Sequence, residues 1–124
     1  MAALTIQVLD VTSGKLAEGV LVQNRKIVGG DWQQLPDATT NAGGQAVLCD
    51  GDEIKDGGYF EVLVFLGAFF DNTGRDLPRI KMVDIVPLRF GLEPGISTVG
   101  IQMSVTPHGY TTAFVAEPKR LTLT

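Results

Sequence analysis

Hydrophobic and polar residues alternate along most of the chain, and this pattern predicts β-strands. Leu4, Ile6 and Val8 occupy every second position of the first run. Because successive side chains of a strand point to opposite faces, one face of this run is expected to be buried. Further extended runs occupy residues 19–23, 32–35, 45–48, 59–66, 80–90 and 96–105. The alternation breaks over residues 67–75, where one short helix is expected.

The spacing of strands and turns predicts the fold class. Seven or eight short strands are separated by segments rich in Gly, Asn and Pro, and this arrangement is typical of an all-β sandwich. The run 59–66 is rich in aromatic and β-branched residues and is expected to be a central strand, whereas Pro87 indicates an edge or a bulge. With 124 residues and 44% hydrophobic content, the chain is expected to form one domain over residues 1–124.

The predicted C-terminal hairpin, residues 97–116, has one face without charge. The alternate residues Val99, Ile101, Met103 and Val105 are expected to lie in the core. The opposite face collects small, neutral residues that can hydrogen-bond or pack closely: Gly100, Gln102, Ser104, Thr111 and Ala113. A solvated sheet face usually carries charged side chains. This face is instead typical of a wall of a small-molecule site or of a symmetric subunit interface.

Charge and composition exclude several classes of function. The formal charge is -4 and the ten basic residues are scattered, so neither nucleic acid nor an anionic membrane is an expected partner. No run approaches a membrane-spanning length and no secretory signal is evident, so the expected location is the cytoplasm. Motifs for nucleotides, zinc or a serine nucleophile are missing, and we expect neither a metal nor an organic cofactor.

Several short motifs resemble the transthyretin and 5-hydroxyisourate hydrolase family. They are Val8-Leu9-Asp10 with Gly14 and Gly19-Val20, the turn Thr40-Asn41-Ala42-Gly43-Gly44, Leu77-Pro78, and the ending Thr106-Pro107-His108-Gly109-Tyr110-Thr111-Thr112. The resemblance implies a transthyretin-like (prealbumin-like) β-sandwich of two four-stranded sheets with one short helix. It also implies a homotetramer, a dimer of dimers, whose central channel is lined by the first strand and the last hairpin.

The resemblance also locates the family's hydrolase residues, and this chain has replaced them. The first catalytic His falls on Gln7, and the Arg after the Asn-Ala-Asp-Gly turn falls on Gln45. The His-x-His stretch falls on residues 98–100, and the Tyr-Arg-Gly-Ser tail falls on residues 113–116. A Gln amide can donate a hydrogen bond but cannot exchange a proton near neutral pH. We therefore expect no useful hydrolysis of 5-hydroxyisourate.

The remaining channel residues predict a neutral, polar site. Gln7, Gln45 and Gln102 are the candidate catalytic residues, with His108 as a candidate proton carrier at the channel edge. The candidate ligand-binding residues are Leu9, Gly100, Ser104, Thr111, Ala113 and Val115. Amides and hydroxyls supply both donors and acceptors, which suits a small neutral cyclic ligand. The leading interpretation is a cofactor-independent enzyme that cyclises, isomerises or rearranges such a metabolite. The alternatives are a non-catalytic binding tetramer and, third, a structural or adhesion sandwich.

Each candidate residue also has a simpler interpretation. The three Gln side chains could be polar packing at a subunit interface, and His108 could be a surface or subunit contact. Cys49, the only cysteine, is more typical of a small buried hydrophobic residue than of a nucleophile. Asp10 is expected to cap its turn. The acidic segment 50–53 faintly suggests calcium but lacks the spacing of a dedicated loop, and a solvated acidic loop is the favoured interpretation.

Overall fold

A computed structural model describes residues 2–118 as nine strands and two short helices. In chain order they are β1 (Ala2–Asp10), β2 (Lys15–Leu16), β3 (Leu21–Val28), β4 (Asp31–Thr39), β5 (Gln45–Asp50), α1 (Gly51–Ile54), β6 (Gly58–Phe65), α2 (Leu66–Asp71), β7 (Ile85–Leu92), β8 (Ile96–Thr106) and β9 (Gly109–Pro118). Residues 1 and 119–124 of the expected domain lie outside the described part.

The strands form two sheets that pack face to face. In sheet 1, β1 pairs with the parallel strand β8 on one side and with the antiparallel strands β2 and β5 on the other, and β9 pairs with β8 as an edge strand. Sheet 2 has the order β4, β3, β6, β7. The fold is therefore the all-β sandwich that the alternation predicted.

The hydrophobic core lies between the sheets. From sheet 1, Leu4, Ile6 and Val8 are at most 1% exposed, and the alternate residues Val99, Ile101, Met103 and Val105 are also buried. From sheet 2, Phe60 and its alternate neighbours on β6 face them. Burying one such side chain contributes about 1.5–3 kcal/mol, so the alternating pattern fixes which face of each strand turns inward.

The structure differs from the expectation in its helices and in the number of strands of sheet 1. Asp50 caps a second helix, α1, by accepting a hydrogen bond from the backbone N–H of Asp52 at 3.0 Å. The two-residue strand β2 pairs with the end of β1 and gives sheet 1 a fifth strand. The expected helix is α2, which is shorter than the interval 67–75.

The start of β7 also differs from the sequence prediction of a strand over 80–90. The backbone C=O of Asp84 accepts hydrogen bonds from the N–H groups of Leu66 and Gly67, which ties this segment to α2 instead of to a sheet. A Cβ on Gly67 would lie 2.1 Å from the Asp84 carboxylate, so a larger residue here would displace that side chain. The central position of β6 and the edge position of the strand that contains Pro87 are confirmed.

The hairpin of β3 and β4 was not predicted as such. Gly29 and Gly30 both have positive φ, 59° and 87°, which is the conformation that a two-residue hairpin loop requires. This turn lets β4 continue well beyond the predicted 32–35, through Pro36. Pro36 is tolerated because β4 is an edge strand.

Two buried carboxylates are held by arginines. Asp10 is 3% exposed and accepts hydrogen bonds from the Thr12 backbone N–H (3.1 Å), the Ser13 hydroxyl (3.0 Å) and the Arg75 guanidinium (2.9 Å), which confirms its capping role. Burial raises the pKa of Asp10, but hydrogen bonds from Arg75 and Ser13 outweigh it and the net pKa is lowered. Burial likewise raises the pKa of Glu61 on β6. Hydrogen bonds and ion pairs with Arg25 and Arg89 outweigh this effect, so the net pKa of Glu61 is lowered.

We expect Asp10→Asn to lower the free energy of unfolding at pH 7 by about 3 kcal/mol. The Arg75 side chain is only 24% exposed and would lose its carboxylate partner. Because the pKa of Asp10 is lower in the folded state, its stabilisation is complete above the ordinary pKa and is lost as the pH falls through the folded-state value. Urea unfolding should thus show a smaller difference from wild type at pH 3 than at pH 7. The exposed control Asp56→Asn should change little, and an equal loss in both variants would contradict the assignment.

Candidate functional site

The outer face of sheet 1 brings the candidate residues together in cross-strand rows. The central row contains Gln45, Gln7, Gln102 and Ala113, one residue from each of β5, β1, β8 and β9. The row on one side is Val47, Thr5, Gly100 and Val115, and the row on the other side is Leu16, Leu9, Ser104 and Thr111. Neighbouring strands are about 4.8 Å apart, so the three Gln residues of the central row are adjacent.

A tight turn places Gln45 beside Gln7. The Asn41 side-chain oxygen accepts hydrogen bonds from the backbone N–H groups of Gly43 (2.9 Å) and Gln45 (3.1 Å). Gly44 has φ of 70°, and a Cβ there would lie 2.6 Å from the backbone oxygen of Val8. The turn therefore requires glycine at this position, and it brings the start of β5 against β1.

The same turn orients the Gln7 amide. Its Nε2 donates a hydrogen bond to the backbone C=O of Gly43 at 3.4 Å, and the residue is half-buried. This bond directs the amide nitrogen toward the turn and leaves the amide oxygen as an acceptor. Gln45 and Gln102 on either side are exposed. The row thus combines one oriented amide with two that are accessible to a ligand.

Two grooves on this face meet at Thr5. The first, of about 160 Å³, is lined by Thr5, Asn41, Gln45, Ala46 and Val47. The second, of about 240 Å³, is lined by Ala3, Thr5, Thr98, Val99, Gly100, Val115 and Glu117. A Cβ added to Gly100 would meet no atom within 4 Å, so the position of a family histidine is open space.

Several residues that line these grooves were not among the predicted site residues, and Thr5 and Glu117 are the two with side chains used below. Thr5 belongs to the same alternate set as Gln7 and Leu9, and that signal could have placed it on the face. Glu117 pairs with Thr98 across the hairpin, one residue beyond the predicted hairpin 97–116. The three rows themselves contain no titratable side chain. They can donate and accept hydrogen bonds, and Glu117 places one carboxylate at their border.

His108 lies apart from these rows. It lines an apolar cavity of about 270 Å³ together with Phe70, Leu77, Pro78, Ile80, Lys81, Met82, Val83 and Pro107. Its backbone N–H donates to the Thr106 hydroxyl at 3.1 Å, so the residue belongs to the turn between β8 and β9. The structure does not bring its side chain to the amide row.

Cys49 and the acidic segment 50–53 lie in surroundings that favour a structural role. Burial raises the pKa of the Cys49 thiol to about 11, with a further contribution from Glu53 and Asp50, so a thiolate nucleophile at neutral pH is disfavoured. Glu53 forms an ion pair with Lys26. Within residues 2–118, no three acidic, His or Cys side chains converge to hold a metal ion. In the same part of the chain, no helix has the length and apolar character needed to span a membrane.

Comparison with known proteins gave matches along nearly the whole chain. The model of the HIUase/Transthyretin family matches residues 4–113. A 5-hydroxyisourate hydrolase of Mesorhizobium japonicum is 32% identical over 111 residues, 88% of either chain, and one of Halalkalibacterium halodurans is 32% identical over 113 residues, 88% of this chain and 93% of that one.

Solved structures share the fold at lower identity. The crystal structure of (S)-allantoin synthase superposes with a TM-score of 0.82 at 23% identity, over 91% of this chain and 43% of that chain. Sea bream transthyretin in complex with thyroxine gives a TM-score of 0.80 at 21% identity, over 92% and 95% of the two chains.

Proposed function

The chain belongs to the HIUase/Transthyretin family, and we propose that it is a divergent enzyme of that family that does not hydrolyse 5-hydroxyisourate. Its substrate is a small neutral cyclic metabolite, bound on the outer face of sheet 1 in the cytoplasm, with no metal or organic cofactor. The observation that carries the proposal is the row of Gln45, Gln7 and Gln102 beside the open position at Gly100.

The amide row supports orientation and hydrogen bonding in place of acid–base chemistry. Gln45 and Gln102 each offer two N–H donors and an acceptor oxygen, and Gln7 offers its acceptor oxygen, so the row can hold the carbonyl and N–H edges of a neutral ring. Fixing a reactive conformation can lower a barrier by several kcal/mol without any proton transfer by the protein. Cyclisation, isomerisation or rearrangement of a reactive metabolite could be promoted by such orientation and hydrogen bonding alone.

Assembly of the protein into a homotetramer would enclose the outer face of sheet 1. β9 is a ten-residue edge strand on which Tyr110, Phe114 and Val115 are 42–51% exposed, and long apolar edges of this kind pair with another strand. We propose that β9 pairs with β9 of a second copy, and that two such dimers meet through the uncharged outer faces. The resulting homotetramer would turn the open grooves into a channel, with each face contacting its own symmetry copy.

A second candidate is a tetramer that binds a small molecule without converting it. It is favoured by the lack of any titratable side chain in the three rows. Binding is common to both candidates, and only product formation distinguishes them. A structural or adhesion sandwich would show neither binding nor assembly.

We expect Gln102→Leu and Gln7→Leu each to weaken ligand binding at least tenfold, because a buried ligand oxygen or N–H would lose its partner. The probes are hydantoin, dihydrouracil and 1-methyl-2-pyrrolidone, three small neutral rings, and the measurement is ligand-observed NMR on fresh and incubated samples. New resonances during incubation would identify turnover.

The matched control is Gln33→Leu, which removes an exposed amide from β4 in the other sheet. Gln33→Leu is expected to bind the probes with the same affinity as the wild type. Equal affinities for Gln102→Leu and Gln33→Leu, or no binding of any probe by the wild type, would contradict the proposed site.

A further inference from the structure

We infer that Glu117 selects ligands that carry a ring N–H, and that the ligand's ring lies over Gly100. This inference rests on the proposed function and adds a residue and a ligand class to it. It starts from the groove of about 240 Å³, in which Glu117 is the one charged side chain among the described lining residues.

The register places a polar residue on each side of Gly100, where the face of the sheet is open. On β8, Gln102 and Thr98 lie two residues to either side of Gly100, so all three face the same way. The Cα atoms of Gln102 and Thr98 are therefore about 13 Å apart. The reach of the side chains and two hydrogen bonds of about 2.9 Å leave room for one small ring between them.

Gly100 makes the centre of this interval accessible. Its cross-strand partners are Thr5 on β1 and Val115 on β9, and a Cβ at Gly100 would project into empty space. Because Gly100 has no side chain, the flat face of a heterocycle can lie directly against its backbone. Thr5 adds a hydroxyl at one side, and Val115 adds apolar contact at the other.

Glu117 closes the end of the interval opposite Gln102. It pairs with Thr98 across the hairpin. The Ser97 hydroxyl donates to the backbone oxygens of Glu117 (3.2 Å) and Pro118 (3.3 Å), which fixes the end of β9 against β8. The backbone that carries the carboxylate is therefore held by two neighbouring residues of β8, Ser97 and Thr98.

The chemistry of a carboxylate sets the ligand class. An ionised carboxylate only accepts hydrogen bonds, and a charge-assisted bond is about twice as strong as a neutral one. Glu117 would bind a ring N–H, as found in cyclic ureides, imides and lactams. It would disfavour N-alkylated rings, which have no donor, and anionic rings, which it repels.

The test compares hydantoin with 1,3-dimethylhydantoin, which has the same ring without N–H groups. In the wild type, the dimethyl compound is expected to bind at least tenfold more weakly. Glu117→Leu should weaken hydantoin binding at least tenfold and reduce the difference in affinity between the two compounds. Glu93→Leu, which removes an exposed carboxylate from the turn after β7, is the control and should bind as the wild type does.

Equal binding of the two hydantoins by the wild type would overturn the inference, even if Glu117→Leu failed to fold. Unchanged hydantoin binding by a folded Glu117→Leu variant would also overturn it. In either case, loss of binding in Gln102→Leu would leave the proposed function intact. Binding of 1-methyl-2-pyrrolidone but not of hydantoin would likewise contradict only the role of Glu117, whereas no binding of any ring would contradict both.

Discussion

Purified protein is expected to leave 5-hydroxyisourate to decay at its spontaneous rate. Positioned acid–base groups contribute about 10²–10⁴-fold to a reaction rate, and a donor that stabilises developing negative charge contributes about 10²–10³-fold. This chain has amides at Gln7 and Gln45 and no side chain at Gly100, where the family resemblance places the hydrolase groups. The rate should therefore be at least about 10⁴-fold below that of an active relative.

The measurement is the absorbance decay of freshly generated 5-hydroxyisourate, with and without protein. The Mesorhizobium japonicum relative, named as a 5-hydroxyisourate hydrolase, is the positive control at equal concentration. A rate within tenfold of that control would show that other residues of this chain carry the hydrolysis, and the divergent assignment would then be wrong.

Replacing Ala113 with lysine is expected to separate the two halves of the assembly and to abolish ring binding. Ala113 is exposed and ends the amide row, so Ala113→Lys would place an ammonium on a face that otherwise has no charge in its three rows. Burying an unpaired charge at an interface costs several kcal/mol, and its symmetry copy would add repulsion. The β9 edge is unaffected, so the expected product is a dimer.

Light scattering gives the mass of the species directly. Wild type is expected at four copies and Ala113→Lys at two. Gln33→Lys adds the same charge to an exposed position on β4 and should stay tetrameric. A monomeric wild-type protein would contradict both channel hypotheses and favour the structural sandwich.

Periodicity predicted the parts of the fold in which burial alone decides the structure. On β8, Val99 and its alternate neighbours are buried, as the pattern indicated, because a shift by one residue would expose all of them. It failed over residues 80–84, which the Asp84 carbonyl ties to α2 and which form no strand. A hydrogen bond between distant backbone groups leaves no periodic signal.

The candidate site was only partly predictable for a related reason. Alternation places Gln102 with Ser104 inside one hairpin, but the parallel pairing of β1 with β8 joins residues about a hundred positions apart. The family resemblance implied that the first strand and the last hairpin line one channel and so grouped Gln7 with Gln102, and the structure shows that the two strands pair. The alternation of β1 could have placed Thr5 on this face, whereas Glu117 became apparent only once the register of β8 and β9 was known.

The parallel pairing of β1 and β8 also determines where the described ends of β1 and β9 are located. Ala2 lies at the end of β1 that is level with the start of β8, and Pro118 pairs with Ile96 at that same start. The described ends of β1 and β9 therefore lie at the same rim of sheet 1, beside the groove that Gly100 and Glu117 line, and the loop between β8 and β9 lies at the opposite rim.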